Sequence, residues 1–252
     1  MLSLKGMQMI GEFNYYNPLA VYACYLGLPE KKRFALADQI LSDTINQSGK
    51  DNFSNSIAGY SDSWTGDVFG HSDLHTRPDF SELFNLLKMA VFDYIDGLGV
   101  DSNQLDVYFT RSWAVKQEGT QAVALHDHSQ SHISLCYYPK VHKDSGPFMV
   151  CPQELPNEFL PNLFTDDHHK STGLIDPTNK HTRKHHYIQP VDDLLLVFPS
   201  KMFHQVPPNK DNNSTPRYSI SSDLVCTVKA EDRHEHCLPP LSQWRKMEKS
   251  NE

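Results

Sequence analysis

The pattern of apolar and polar positions divides the chain into a helical first part and a strand-rich second part. Residues 30–47 ("EKKRFALADQILSDTINQ") place their apolar side chains on roughly one helical stripe. Residues 77–99 carry a stronger helical pattern, in which Asp79 and Glu82 predict a capping box and two glycines predict the end of the helix. These two segments predict helices that support a separate β core.

The second part of the chain alternates short apolar segments with turn residues, which predicts a jelly roll or barrel-like sandwich of eight strands. Residues 55–73 predict a long loop before it, either a lid or an irregular surface segment. Residues 152–183 predict an insertion between strands, and residues 229–252 predict a polar tail. The predicted strands are 106–117, 121–128, 132–140, 146–151, 184–190, 193–199, 203–207 and 217–228.

Composition narrows the function classes. The 252 residues with 38% hydrophobic content suffice for one core, so we expect a single domain with support in 1–105, a core in 106–228 and a tail in 229–252. A net charge of −8 argues against nucleic-acid binding, and no segment has the apolar length of a bilayer span. Five scattered cysteines indicate reduced thiols and, with no signal-peptide pattern at the start, predict a cytoplasmic protein.

Histidines cluster where the third predicted strand begins, in "ALHDHSQSHISLCYYPKV" (124–141). Strand residues two apart face the same side, so His126 and His128 are predicted to lie side by side at the mouth of a hairpin. A distant strand begins with His204. Two histidines from one strand and a third from another can cap one face of a metal ion, as in a non-haem iron triad or a cupin-type site. Asp127 points away, and would replace His128 as a ligand only if the strand bulged.

Arg217 follows His204 by thirteen residues, in "PRYSISSDL". An arginine on a buried strand face is costly unless it meets a carboxylate, and its planar guanidinium suits a bidentate partner. Ser219 faces the same side and can donate to the same carboxylate. The pair predicts an anchor for a dicarboxylate whose other end reaches the metal, with a surface salt bridge as the alternative for Arg217.

Residues 106–226 resemble the iron(II)- and 2-oxoglutarate-dependent oxygenases, nearest to the prolyl-hydroxylase-like branch and to a group of uncharacterised microbial members with a His-x-His motif. The first family motif is a His-x-Asp, His-x-Glu or His-x-His pair followed by a strand that ends in two tyrosines, here "HDHSQSHISLCYYPK". The second is an apolar run, a turn, a distal histidine and an arginine that heads the last strand, here "LLLVFPSKMFHQVPP" and "RYSIS".

The resemblance implies a mainly β fold with N-terminal α-helices, a double-stranded β-helix (jelly roll, cupin-like), and it implies Fe(II) and 2-oxoglutarate as cofactors. It implies that three histidines are the catalytic iron ligands and that three further residues bind the distal carboxylate of 2-oxoglutarate. The ligands are His126, His128 and His204, and the carboxylate-binding residues are Arg217, Ser219 and Tyr138. Tyr138 shares a strand face with Ser134 and Cys136, and a packed strand tyrosine is the alternative for it.

His128 departs from the family pattern, because most of the superfamily has a carboxylate there. Three neutral imidazoles leave the ion with its full double charge, so the bound dicarboxylate would supply all of the compensation. Such a site should also bind zinc, nickel or cobalt readily.

The resemblance implies a dioxygenase that hydroxylates an unactivated C–H bond of an amino acid, peptide or small metabolite. We expect a small-molecule or peptidyl substrate and molecular oxygen as partners, with no nucleic acid and no membrane, and leave a homodimer through the N-terminal helices open. One rival is a three-histidine cupin-type oxygenase that uses no 2-oxoglutarate. Another is a non-catalytic sandwich that binds a metal or a small acid.

Other polar clusters are assigned to the surface. Arg111 and Trp113 are candidates for the substrate side of the site. The alternatives are a salt bridge for Arg111 and packing in the core for Trp113. The His-x-Asp match at 71–75 lies in the N-terminal loop and lacks a following double-tyrosine strand, so we do not assign it to the site. The histidine-rich stretches at 166–169 and 180–186 are expected to be solvated, near the mouth of the site.

Overall fold

Two antiparallel β-sheets pack face to face and carry helices on one outer side. The computed structural model describes residues 19–46, 73–117, 121–155, 157–176, 178–179, 183–209, 215–229 and 237–247. The helices are α1 (Glu30–Asn46), α2 (Ser81–Gly97) and α3 (Asp167–Ser171). The strands are β1 (Tyr22–Tyr25), β2 (Leu105–Gln117), β3 (Val123–His126), β4 (Ile133–Lys140), β5 (Phe148–Val150), β6 (His186–Ile188), β7 (Leu194–Pro199), β8 (His204–Val206) and β9 (Arg217–Val228).

The larger sheet has the strand order β1-β7-β4-β9-β2, and the smaller has the order β3-β8-β5-β6. Alternation along β4 sends Leu135 and Tyr137 to the core shared with the helices, and Cys136 and Tyr138 to the core between the sheets. The mainly β jelly-roll fold with helical support is therefore confirmed. The interior between the two sheets is where the site lies.

Each of the eight predicted strands is present, although six are shorter than the pattern indicated. The sequence pattern does not predict β1, a four-residue edge strand whose partners are in β7. Four residues are too few for an alternation of apolar and polar positions to be recognised in the sequence. The segment is a strand because it pairs with β7.

The predicted capping box of α2 is wrong. The helix begins at Ser81, after a short 3₁₀ turn that starts at Pro78, and no side chain caps it. Asp79 instead pairs with Arg77 in that turn. Glu82 accepts from Lys32 of α1 at 2.5 Å, so it links the two helices rather than capping one.

The predicted hairpin between β3 and β4 is also wrong, because the two strands belong to different sheets. Strand β3 ends at His126, so His128 lies in the crossing segment. There the backbone N–H of His128 donates to the carbonyl of Ser200 at 2.8 Å, which turns the chain toward the second sheet.

The insertion between β5 and β6 contains α3 and a small apolar cluster of Leu163, Phe164 and Ile175. The predicted loop 55–73 lies outside the described residues, apart from Asp73. In the part of the chain that the structure describes, no helix has the length and apolar character needed to cross a membrane.

Candidate metal centre

Three histidines converge at one end of the space between the sheets. The imidazoles of His126, His128 and His204 each offer a nitrogen, and these nitrogens all lie within 4.8 Å of one another. The Nε2 atoms of His126 and His128 are 3.1 Å apart. Two nitrogens bound at right angles to one ion, at about 2.1 Å each, lie about 3.0 Å apart. The spacing of this pair therefore fits two ligands of a single transition-metal ion.

The hydrogen bonds of the three rings fix which nitrogen faces the centre. His126 Nδ1 donates to the carbonyl of Ala124 at 2.7 Å, and His204 Nδ1 donates to the carbonyl of Met202 at 2.8 Å. His128 Nδ1 donates to Asp223 Oδ1 at 2.5 Å. The Nε2 lone pairs of His126 and His128 then face each other, and two acceptors this close repel unless a cation lies between them.

Burial keeps the rings of His126 and His204 neutral. It lowers the pKa of His126 to about 4 and the pKa of His204 to about 3, and the nearby His126 adds to the effect on His204. A neutral imidazole has the lone pair that a metal needs. Phe148 stacks on the His204 ring, and Phe198 meets it edge-on, each at a centroid distance of 5.1 Å, so the ring is held in place by packing.

Asp223 is a site residue that the sequence analysis missed. It is 1% exposed and accepts hydrogen bonds from His128 and, at 2.8 Å, from the hydroxyl of Ser134. The available signal was its position in β9, an even number of residues after Arg217, which puts both side chains on the cavity face. Asp127, the alternative ligand, is absent from the convergent group of the described residues.

Arg217 lies in the same cavity, and its side chain is among the largest that the protein buries fully. Its Nη1 donates to the carbonyl of Gly146 at 3.1 Å, while its buried Nε has no hydrogen-bond partner among the described residues. No described carboxylate forms an ion pair with it. The alternative of a surface salt bridge is therefore wrong, and the unpaired guanidinium is suited to an anionic ligand.

Tyr138 and Ser219 line the cavity beside this guanidinium. The ring of Tyr138 is 5.6 Å from the Arg217 guanidinium carbon, and its buried hydroxyl has no partner in the described part of the chain. Burial raises the pKa of Tyr138 well above its ordinary value, so the phenol is protonated and can donate. Unpartnered donors on Arg217 and Tyr138 fit the distal carboxylate of 2-oxoglutarate, which would satisfy both.

One side of the cavity is aromatic. Trp113 lines the cavity 5.7 Å from the ring of His128, and the guanidinium of Arg111 lies 4.5 Å above its indole. Opposite, the register of the smaller sheet aligns His126, His204, Val150 and His186 in one row. His186, predicted to be solvated, is half-buried on the same sheet face as two of the candidate ligands.

Residues 111–223 match a family model described as a putative 2OG-Fe(II) oxygenase. The β core of this chain is therefore similar to the 2OG-Fe(II) oxygenases, over a stretch that covers a little less than half of the chain. The match contains the three histidines, Tyr138, Arg217 and Ser219. It supports this enzyme class over the three-histidine cupin oxygenase and the non-catalytic sandwich, and it confirms Fe(II) and 2-oxoglutarate as the cofactors of the family.

Two solved structures share the fold of this chain. A prolyl-4-hydroxylase from Pseudomonas putida is 15% identical, with a TM-score of 0.52 over 81% of this chain and 92% of its own. HygX from Streptomyces hygroscopicus, solved with nickel and 2-oxoglutarate bound, is 10% identical, with a TM-score of 0.50 over 82% and 83%.

An oxidoreductase of the 2OG-Fe(II) oxygenase family from Burkholderia pseudomallei is 14% identical, with a TM-score of 0.41 over 59% of this chain and 57% of its own length. The chain thus spans little more than half of that relative. No curated protein sequence matches the chain significantly.

Proposed function

We propose that the chain is a non-haem Fe(II)- and 2-oxoglutarate-dependent dioxygenase that hydroxylates an unactivated C–H bond of an amino acid, peptide or small metabolite. The observation that carries the proposal is the buried guanidinium of Arg217, which pairs with no carboxylate of the described residues and lies in the same cavity as three convergent imidazoles. A metal-only oxygenase has no use for such a group, whereas a dicarboxylate that chelates the metal requires it.

In this proposal His126, His128 and His204 hold the iron, and Arg217, Tyr138 and Ser219 bind the distal carboxylate of 2-oxoglutarate. Bound iron and 2-oxoglutarate supply the oxidising chemistry, in which oxygen converts 2-oxoglutarate to succinate and carbon dioxide and hydroxylates the substrate. The protein orients the cosubstrate with its buried donors and excludes water with an apolar lining. That lining includes Val115, Val123, Phe148, Phe198 and Val206.

Substrate would lie near Trp113, since its indole lines the cavity beside His128. A prolyl hydroxylase from Trichoplax adhaerens that shares the fold was solved in complex with a peptide fragment, which supports a peptidyl substrate as one candidate within the proposed range. We also retain the cytoplasm as the proposed compartment.

The decisive experiment is an anaerobic titration of the Fe(II)-loaded protein with 2-oxoglutarate. We expect the weak visible charge-transfer band of the chelate, followed by succinate release when oxygen is admitted. A saturable band that is absent with succinate in place of 2-oxoglutarate supports the proposal. Full metal loading with neither band nor succinate contradicts it and favours the three-histidine oxygenase.

Gly146 gives an independent prediction about the carboxylate anchor. Its carbonyl accepts from Arg217, its N–H donates to Asn209 at 3.0 Å, and a Cβ at this position would collide with the carbonyl oxygen of Pro207. We therefore expect Gly146→Ala to raise the KM for 2-oxoglutarate about tenfold and to destabilise the fold by about 1–3 kcal/mol through overpacking.

Kinetics and thermal unfolding measure the two effects. Gly97→Ala is the matched control, because nothing lies within 4 Å of an added Cβ at that helix position. Equal KM and unfolding temperature in the two variants would show that Gly146 does not position Arg217.

A further inference from the structure

Asp223 is a buried carboxylate that forms no ion pair with a lysine or arginine of the described residues. Its one basic contact there is His128, whose Nδ1 lies 2.5 Å from Oδ1, and the side chains of both residues are almost fully buried. A carboxylate in this position is costly unless a positive charge compensates it. A neutral imidazole alone does not provide that charge, but an imidazole bound to a divalent cation does.

The three candidate ligands differ in the partner of their outer nitrogen. His126 and His204 donate to the neutral carbonyls of Ala124 and Met202. His128 alone of the three donates to a carboxylate. His128 is also the position at which the sequence departs from the resemblance, because an imidazole stands where most of the superfamily has a carboxylate. The carboxylate of Asp223 is therefore hydrogen-bonded to His128, the candidate ligand that replaces the carboxylate of most of the superfamily.

The surroundings of Asp223 fix its orientation. Ser134 donates to the same carboxylate oxygen at 2.8 Å. The hydroxyls of Ser134 and Ser200 are also hydrogen-bonded to each other, and the Ser131 hydroxyl donates to that of Ser200 at 2.9 Å. The carbonyl of Ser200 accepts the backbone N–H of His128. This hydrogen-bond network fixes the orientation of the His128 ring relative to the Asp223 carboxylate. Removal of such a partner of a metal-bound histidine commonly lowers metal affinity about 10- to 100-fold.

We propose that Asp223, acting through His128, supplies the negative charge that a carboxylate ligand would otherwise bring to the metal. It is a positioning and charge-compensating residue rather than a ligand. The earlier expectation that the bound dicarboxylate supplies all of the compensation is thereby revised. The proposal rests on the proposed function, since it requires that the three imidazoles bind one ion.

The test compares Co(II) affinities, measured by competition with a chelator in the absence of 2-oxoglutarate, in a cycle of Asp223→Asn and His128→Asp. We expect Asp223→Asn to weaken Co(II) binding about 10- to 100-fold in the natural sequence. In the His128→Asp background, Asp223→Asn should strengthen Co(II) binding, because it removes the repulsion between two adjacent carboxylates. Asp127→Asn, which removes a nearby charge without a bond to a ligand, should change the affinity less than about threefold.

A second readout is the anaerobic Fe(II)–2-oxoglutarate band. Loss of negative charge near the metal lowers its donor orbitals, so the band of Asp223→Asn should move to shorter wavelength. An unchanged Co(II) affinity, or an effect of Asp223→Asn that has the same sign in both backgrounds, overturns the proposal and leaves a structural role. A wild-type protein that binds Co(II) and shows the band while Asp223→Asn changes neither rejects this inference alone. A wild type that binds no metal rejects the proposed function as well.

Discussion

Replacing His204 with alanine is expected to lower metal affinity more than about 100-fold and to reduce 2-oxoglutarate turnover to background. The loss should exceed the 10- to 100-fold effect of removing a hydrogen-bond partner of a ligand, because a metal–nitrogen bond itself is lost. His204 contributes one of three convergent nitrogens and is the sole member of the group from β8. The remaining two imidazoles cannot close one face of the ion.

Metal-dependent thermal stability and succinate release measure this loss. A metal at 100 times its Kd stabilises the wild type by about 2.7 kcal/mol, a gain that His204→Ala should lack. His168→Ala is the matched control, since His168 is an exposed histidine on α3. Retention of the metal-induced stabilisation in His204→Ala, with binding as tight as in the control, would refute the three-histidine site.

Arg217→Met is expected to raise the KM for 2-oxoglutarate at least about 100-fold while metal affinity stays within about threefold of the wild type. Removing one member of a buried, hydrogen-bonded charge pair costs about 2–5 kcal/mol, and each 1.4 kcal/mol is tenfold in affinity. Methionine keeps much of the side-chain volume, so the change tests charge rather than packing. Arg217 is not within the group of metal-binding nitrogens, which separates the two affinities.

Anaerobic titration of the charge-transfer band measures the 2-oxoglutarate affinity directly, and competition with a chelator measures the metal affinity. Arg245→Met, at an exposed position near the end of the chain, controls for the loss of one positive charge. A three-histidine oxygenase without 2-oxoglutarate predicts nearly unchanged activity in Arg217→Met. That result would remove the carboxylate anchor from the proposed mechanism.

The strand-rich core and the candidate ligands could be predicted because both follow from local patterns. Alternation in β4 and β9 determines which side chains face the cavity, and it placed Tyr138 beside Cys136 and Ser219 beside Arg217. The capping box failed because Pro78 starts a 3₁₀ turn that shifts the helix start, a competition that sequence spacing alone does not resolve.

Sequence alone therefore determined the β-rich fold class, the three histidines and the arginine, because each depends on residue type and on spacing within one strand. Tertiary structure decided which strands share a sheet, that His128 reaches the centre from beyond the end of β3, and that Asp223 bonds to it across 95 residues. Contacts between distant segments depend on how sheets pair and pack, and a periodicity of two along a strand carries no information about its neighbours.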